Sequence, residues 1–246
     1  MQSSPILKSA DPIPHVEETR FGLWFLQTET WTRHVLERAI QDLMRLLSAA
    51  GDARPTTYPV VLDVGCGFGR SLPKLHRRFK PQRLIGMDVD GAMLDASARE
   101  VMSAGIRAEL IQCSSDSLKL EDNSVDLLFC HQTFHHLVEQ DRAIQEFYRV
   151  LKPGGVMLFA ESTKRYIESW TIRYLFRHPM HMQKTADQYL ALVRSVGFDV
   201  TPESVSTPFL WWSRPDFGLL ERALRIRPRP GQEQTLINLV ARKPRA

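Results

Sequence analysis

The chain has 246 residues, 43% hydrophobic and 24% charged, a balance that fits one globular domain with insertions and excludes a disordered or low-complexity chain. Its net charge of +4 comes from Lys and Arg scattered along the sequence, which argues against nucleic-acid binding. No apolar run approaches the roughly 18 residues that span a bilayer, and the opening MQSSPILKSADPIPHVEE lacks the basic and apolar regions of a signal peptide, so no integral membrane segment and a cytoplasmic location are expected.

Residues 1–16 include Pro5, Pro12 and Pro14 and are expected to be poorly ordered. Residues 17–246 read as a single domain that begins with a helical cap over 17–51. There Leu36, Ile40, Leu43 and Leu47 recur on one helix face, and Gly51 stops the pattern. Phe21, Trp24, Phe25 and Trp31 lie in the same segment. Strands and helices then alternate: strand 59–64, helix 71–79, strand 83–88, helix 91–104, strand 106–112, strand 125–131, helix 138–151 and strand 155–161. Such alternation implies right-handed crossovers and a parallel sheet covered on both faces. Thr185-Ala186-Asp187-Gln188 has capping-box form and opens a helix that Gly197 stops, followed by strand 198–206 and a last strand from Gln234 to Arg242. Cys66, Cys113 and Cys130 are an odd number set in or beside strands, and read as free buried thiols.

Two stretches exceed this frame. Residues 163–184 carry Tyr166, Trp170, Arg173, Tyr174 and Arg177, and residues 207–231 carry Trp211-Trp212 before a short helix capped by Ser213. Insertions of this length serve as lids or binding elements, and ligands of open α/β sheets bind outside the carboxyl ends of the strands.

The chemistry is concentrated in Val60-Val61-Leu62-Asp63-Val64-Gly65-Cys66-Gly67-Phe68-Gly69-Arg70. A buried strand ends there in a glycine turn that lets a nucleotide-like ligand approach the backbone at a helix N-terminus. The third glycine comes one residue earlier than in the dinucleotide fingerprint, which argues against a nicotinamide-dependent oxidoreductase. About 20 residues on, Asp88 closes the next strand, where an acid can accept both ribose hydroxyls. Val89 adjoins it, and Met93 and Leu94 follow at the start of a helix, placed to cover an adenine face.

The G-x-G-x-G turn, Asp88, the D-x-S-x-D lead-in Asp122–Asp126 and the Leu151-Lys152-Pro153-Gly154-Gly155 turn resemble, in register over residues 59–162, the motifs of the class I S-adenosylmethionine (SAM) dependent methyltransferases. The closest resemblance is to the branch that includes ubiquinone and menaquinone biosynthesis enzymes. It implies a Rossmann-like, seven-stranded mixed sheet with helices on both faces, the last strand antiparallel beside the fifth, and the N-terminal helices and aromatic insertions forming a lid. It also implies SAM as cofactor and S-adenosylhomocysteine as product, held by Asp63, Gly65, Cys66, Gly67, Gly69, Asp88, Val89, Met93, His131 and the segment Ser114-Ser115-Asp116. Many relatives place an acid at the position of Ser114; here either Ser114 or the shifted Asp116 would meet the adenine amine.

Methyl transfer from a sulfonium needs alignment and exclusion of water, and a general base only where the nucleophile carries a proton. The exit of the fourth core strand, Cys130-His131-Gln132-Thr133-Phe134-His135-His136, faces that reaction. His135 is the first candidate base and His131 the second. The exit lacks the D/N-P-P-Y/F motif of nucleobase amino-methyltransferases and the carboxylates of magnesium-dependent enzymes, and consecutive Cys and His residues cannot all converge on one ion, so no metal is expected. The expected acceptor is a small apolar or aromatic molecule, methylated at oxygen or carbon, in a pocket walled by Trp170, Tyr174, Trp211 and Trp212, with Arg173 or Arg177 at an anionic end. The alternatives are a catalytically silent SAM-binding module that engages a protein partner and a methyltransferase acting on RNA or protein. Oligomeric state leaves no trace in the sequence.

Overall fold

Short apolar runs bounded by turn residues become the strands of one sheet, and amphipathic segments between them become its covering helices. The computed structural model describes residues 6–9, 13, 15–50, 57–214, 217, 219–225 and 234–245. Gly51, the three N-terminal prolines and residues 226–231 of the second insertion lie outside the described residues.

In chain order the elements are β1 (Ile6–Leu7), α1 (Arg20–Leu26) and α2 (Glu29–Trp31), which continues through a π-helical turn (Thr32–Leu36) into α3 (Glu37–Ala49). The nucleotide-binding half follows as β2 (Val60–Val64), α4 (Leu72–Phe79), β3 (Arg83–Asp88), α5 (Gly91–Ser103) and β4 (Glu109–Gln112). Then come β5 (Val125–His131), α6 (Gln140–Val150), β6 (Leu151–Ser162), α7 (Lys164–Ile167), α8 (Trp170–Leu175) and α9 (Ala186–Ser195). The chain closes with β7 (Val205–Ser206), α10 (Leu219–Leu224) and β8 (Leu236–Arg242).

The sheet has eight strands in the order β1-β4-β3-β2-β5-β6-β8-β7. β8 pairs antiparallel with β6 and β7, as expected of the last strand, and every other pair is parallel. The count exceeds the expected seven because Ile6–Leu7 pairs with Leu110–Ile111 at the edge. That places two residues of the segment expected to lack order in the sheet. The strand expected over 198–206 shrinks to Val205–Ser206 and a single bridge between Asp199 and Arg242.

Side chains alternate across the sheet, so each strand feeds two cores. Val61, Leu84, Leu127 and Leu158 pack with α3, α4 and α5 through Leu43, Leu72 and Leu94. On the other face Leu62, Leu128 and Phe159 pack with α6 and α9 through Ile144, Phe147 and Tyr189. The three cysteines are free and buried, as the odd count implied. Thr185 forms the capping box of α9 with Gln188. Ser213, expected to cap a helix, ends a 3-10 turn instead, and its Oγ bonds the carbonyl of Leu210 and Thr235 Oγ1.

This strand order contains one reversal that matters for ligands. β2 has β3 on one side and β5 on the other, so the chain departs in opposite directions from neighbouring strands and opens a crevice at their carboxyl ends. The glycine turn leaves β2 there, and the histidine-rich segment leaves β5 there.

Candidate active site

All three glycines of the turn are in the left-handed region, with φ of +72°, +52° and +76° at Gly65, Gly67 and Gly69. Two of them are fixed by protein neighbours. A Cβ at Gly65 would lie 2.2 Å from Thr133 Cγ2, and one at Gly69 would lie 2.9 Å from the Ser97 backbone. Gly67 differs: a Cβ there would meet only Met93 Sδ, at 3.9 Å. The space over Gly67 is thus a cradle that a side chain would fill and a ligand can enter.

Asp88 stands beside that cradle. Its carboxylate accepts the backbone N–H groups of Gly67 (2.8 Å) and Asp90 (3.0 Å), which leaves lone pairs for two further donors. Burial holds its pKa above the ordinary carboxylate range. Capping of α5 falls to Asp90, whose Oδ1 accepts from Ala92 and Met93, so Asp88 is free of that duty. Val89 and Met93 are half-buried alongside. The amide of Cys113 donates to the Asp88 carbonyl (3.1 Å), which brings Ser114, Ser115 and Asp116 to the same edge. A carboxylate with spare lone pairs beside an open cradle fits the hydroxyls of a ribose such as that of SAM.

Asp63 and Cys66 are placed differently from the expected ligand contacts. Both are buried beneath the turn. The Asp63 carboxylate accepts from Ser71 Oγ, and burial, with the charge of Asp88 adding, pushes its pKa up to about 7. Cys66 Sγ lies 3.7 Å from Ser97 Oγ. These two side chains are engaged inside the protein, Asp63 from the end of β2 and Cys66 from within the turn itself.

The β5 exit is built around an acid that sequence reasoning missed. Glu161, fully buried in β6, accepts the amides of Thr133 (2.9 Å) and Phe134 (2.8 Å) through Oε1. Its Oε2 lies 2.6 Å from Nδ1 of buried His135. A carboxylate there fixes the tautomer, with Nδ1–H donating to it and Nε2 carrying the lone pair. The available signal was an acid within the apolar run Val156-Met157-Leu158-Phe159-Ala160-Glu161, where a buried charge demands partners. His131 stacks on Phe129 (5.9 Å) and meets the edge of Trp31 (5.7 Å). Burial lowers its pKa to about 4, so it is neutral at physiological pH. Burial also holds His136 well below the ordinary histidine range and His178 near 3.

A cavity of about 290 Å³ lies between the N-terminal helices, the β5 exit and the second insertion. Val35, Leu210, Trp212 and Leu236 give it apolar walls, Arg38, Asp42 and Asn238 a polar end, and His131 and Gln132 its floor. Of the four rings expected to wall an acceptor pocket, Trp212 lines this cavity, anchored by Nε1–H to the His34 carbonyl (2.8 Å). The other rings are not brought there. Trp170 and Tyr174 are 72% and 85% exposed, and Trp211 is 45% exposed with its ring edge-on to His34. The cause is the short α8, which buries Thr171 and Ile172 and so turns Trp170, Arg173 and Tyr174 outward. Tyr166 packs edge-on against Trp212 (5.5 Å).

The expectation of no metal rested on consecutive residues being unable to converge. In space, His178 of the first insertion joins His135 and His136, and nitrogens of all three lie within 4.8 Å of one another.

Comparison with known proteins agrees with this geometry. Residues 62–159 match the family described as "Methyltransferase domain". A malonyl-acyl-carrier-protein O-methyltransferase of Marinomonas is 28% identical over 64% of this chain and 59% of its own length. A ubiquinone/menaquinone biosynthesis C-methyltransferase of Escherichia coli is 26% identical over 60% of this chain and 62% of its own. The chain thus spans about three-fifths of the length of these two relatives. The crystal structure of a SAM-dependent methyltransferase from Aquifex aeolicus shares the fold, with a TM-score of 0.61 at 19% identity over 90% of this chain and 97% of that one. No helix among the described residues is long and apolar enough to cross a membrane. The glycine cradle, the acid beside it and the reversal of strand order all lie in the same crevice, within the residues 62–159 that match the methyltransferase-domain family, on a fold shared with a SAM-dependent methyltransferase.

Proposed function

We propose that the protein transfers the methyl group of SAM to oxygen or carbon of a small acceptor with an apolar or aromatic body, releasing S-adenosylhomocysteine. The observation that carries this reading is the open space over Gly67 with the Asp88 carboxylate next to it, at the crevice where such sheets bind ligands. Asp88 would take the ribose hydroxyls, Met93 would cover the adenine, and Ser114, Ser115 and Asp116 would bound its far edge. SAM brings an electrophilic methyl on a positively charged sulfur.

The cavity beside His131 supports the acceptor half. Its volume is at the lower end for small-molecule pockets, and it combines apolar walls with a few convergent polar groups. Val35, Leu210 and Trp212 would exclude water and hold the acceptor's body, while Arg38, Asp42 and Asn238 would orient a polar end. Where the acceptor loses a proton, His135 is the group to take it, because Glu161 stabilises the imidazolium that forms. His131, kept neutral, would serve as a hydrogen-bonding and packing surface. The scattered basic residues and the small volume of the cavity, about 290 Å³, favour a small molecule over RNA or protein.

The test is calorimetric titration with S-adenosylhomocysteine, together with transfer of labelled methyl to solvent-extractable acceptors. Asp88→Ala should weaken S-adenosylhomocysteine binding by about 10- to 100-fold, as loss of hydrogen bonds to a charged acceptor implies. Binding unaffected by this change would overturn the cofactor assignment. Label found only in RNA or protein would overturn the acceptor class.

A further inference from the structure

The β5 exit and the first insertion assemble three imidazoles that methyl transfer alone does not require. His135 and His136 follow one another on the 3-10 turn Phe134–His136, with ring centroids 4.3 Å apart. His178, between α8 and α9, closes the group at 5.1 Å from His135 and 4.7 Å from His136. One nitrogen from each ring lies within 4.8 Å of the other two. Around a tetrahedral ion with metal–nitrogen bonds near 2.0–2.1 Å, ligand nitrogens stand about 3.3 Å apart.

Two independent features point to an occupant. The first is the Glu161 carboxylate, 2.6 Å from His135 Nδ1 and fixed by two backbone amides. An outer carboxylate on the far nitrogen is how metal-ligating histidines are oriented, and it leaves Nε2 with its lone pair to serve as the ligand. The second is His178 Nδ1, which is shielded from solvent and has no hydrogen-bond partner among the described residues. A polar atom stranded in that way is costly unless something else satisfies it. The insertion is pinned to the turn by Gln183, whose Nε2 donates to the carbonyls of His135 (2.8 Å) and Pro179 (3.0 Å), so the three rings are held together by the fold itself.

We propose that His135, His136 and His178 form a three-imidazole site for a divalent transition metal of the zinc class, with Glu161 as its outer carboxylate. Nitrogen ligands select zinc, copper, nickel or iron over magnesium and calcium. Three protein ligands leave a coordination position for water or for a heteroatom of a bound molecule, the arrangement of zinc sites that act on substrates. A bound ion takes the Nε2 lone pair of His135, so the loaded protein holds a ligand where the metal-free protein holds a base.

The experiment uses the full chain, stripped with a chelator and titrated with Co²⁺ as a coloured probe, then with Zn²⁺ in competition. The expected result is the ligand-field spectrum of a tetrahedral Co²⁺ site, saturating at one equivalent and erased by Zn²⁺. His136→Ala and His178→Ala should weaken binding about 100-fold, and Glu161→Gln about 10- to 100-fold. His181→Ala, an exposed histidine three residues beyond His178, should leave it unchanged. His178→Gln, which keeps a polar side chain of similar length, replaces the alanine variant if circular dichroism shows the latter unfolded. Absence of the spectrum, or wild-type affinity in His178→Ala or in the His178→Gln variant that replaces it, overturns the proposal. S-adenosylhomocysteine affinity is read separately on the same preparations, so failure of the metal site and failure of the methyl-transfer reading are distinguishable.

Discussion

Gly67→Ala separates binding from folding at one atom. Gly67 has φ of +52°, and an L-residue in that region costs about 1–2 kcal/mol. No clash adds to this, since the nearest atom to the new Cβ is Met93 Sδ at 3.9 Å. At about 2–4 °C per kcal/mol for a chain of this size, the melting temperature should fall by roughly 2–8 °C. Gly105→Ala is the matched control: its φ is +67° and a Cβ there meets nothing within 4 Å, but it ends α5 away from the crevice. The two variants should lose similar stability. Only Gly67→Ala should lose affinity for S-adenosylhomocysteine, by at least about tenfold, or 1.4 kcal/mol, because its methyl occupies the space assigned to the ligand. Scanning calorimetry gives the first quantity and isothermal titration the second. Equal affinities of Gly67→Ala and wild type would refute the cradle argument, whatever the melting temperatures.

The two tryptophans of contrasting burial make a second comparison. Trp212 is 8% exposed and donates to the His34 carbonyl, so Trp212→Ala should cost about 3–5 kcal/mol. Trp212→Phe should fold and raise the acceptor KM, whereas Trp170→Ala, at a 72% exposed site, should change stability by less than about 0.5 kcal/mol and leave acceptor kinetics alone. Melting temperature against pH gives a third test. His131, His136 and His178 all have pKa values depressed by burial, so the stability they contribute is present above the unfolded histidine value near 6.5 and is lost as pH falls toward about 4. Asp63 runs the other way. Its folded value near 7 exceeds the reference 3.8, so its contribution is complete below the reference value and is lost as pH rises through 7. The melting temperature of Asp63→Asn should therefore gain on wild type between pH 5 and pH 8, and a constant difference across that range would count against a buried protonated Asp63.

The sheet was legible in the sequence because its strands are local statements. Val60–Val64, Arg83–Asp88 and Val125–His131 are apolar runs ended by glycine, acid or turn residues, and the run itself contains the reason for burial. The D-x-S-x-D and L-K-P-G-G segments were equally legible as motifs, but two of their charged residues serve the fold. Asp126 accepts the amide of Val60 and the ammonium of Lys152, which ties β2, β5 and the start of β6 at the end of the sheet opposite the crevice. β1 was not legible, because two residues carry no periodicity and their pairing with Leu110–Ile111 is fixed only when the sheet edge exists.

The candidate site divides along the same line. Its nucleotide half depends on residues at the ends of two adjacent strands joined by one helix, where spacing in sequence is close to spacing in space, so the juxtaposition of Gly67 and Asp88 could be read from the motif. Asp63 and Cys66 share that unit, but their side chains lie beneath the turn against Ser71 and Ser97, and a motif does not say which way a side chain faces. The acceptor half depends on how short insertions lie on the sheet. A six-residue helix such as α8 has no long apolar stripe to declare its buried side, and the choice of Thr171 and Ile172 as that side sends Trp170 and Tyr174 to solvent. The histidine cluster is the extreme case. His135 and His136 are adjacent in sequence, Glu161 comes from the next strand and His178 from an insertion beyond it. The chemistry of the four depends on distances that only the packed sheet creates, and the isolated cue was a carboxylate at the end of an apolar strand. A charge in such a place is tolerated only when other polar groups come to meet it, and here two amides and an imidazole do.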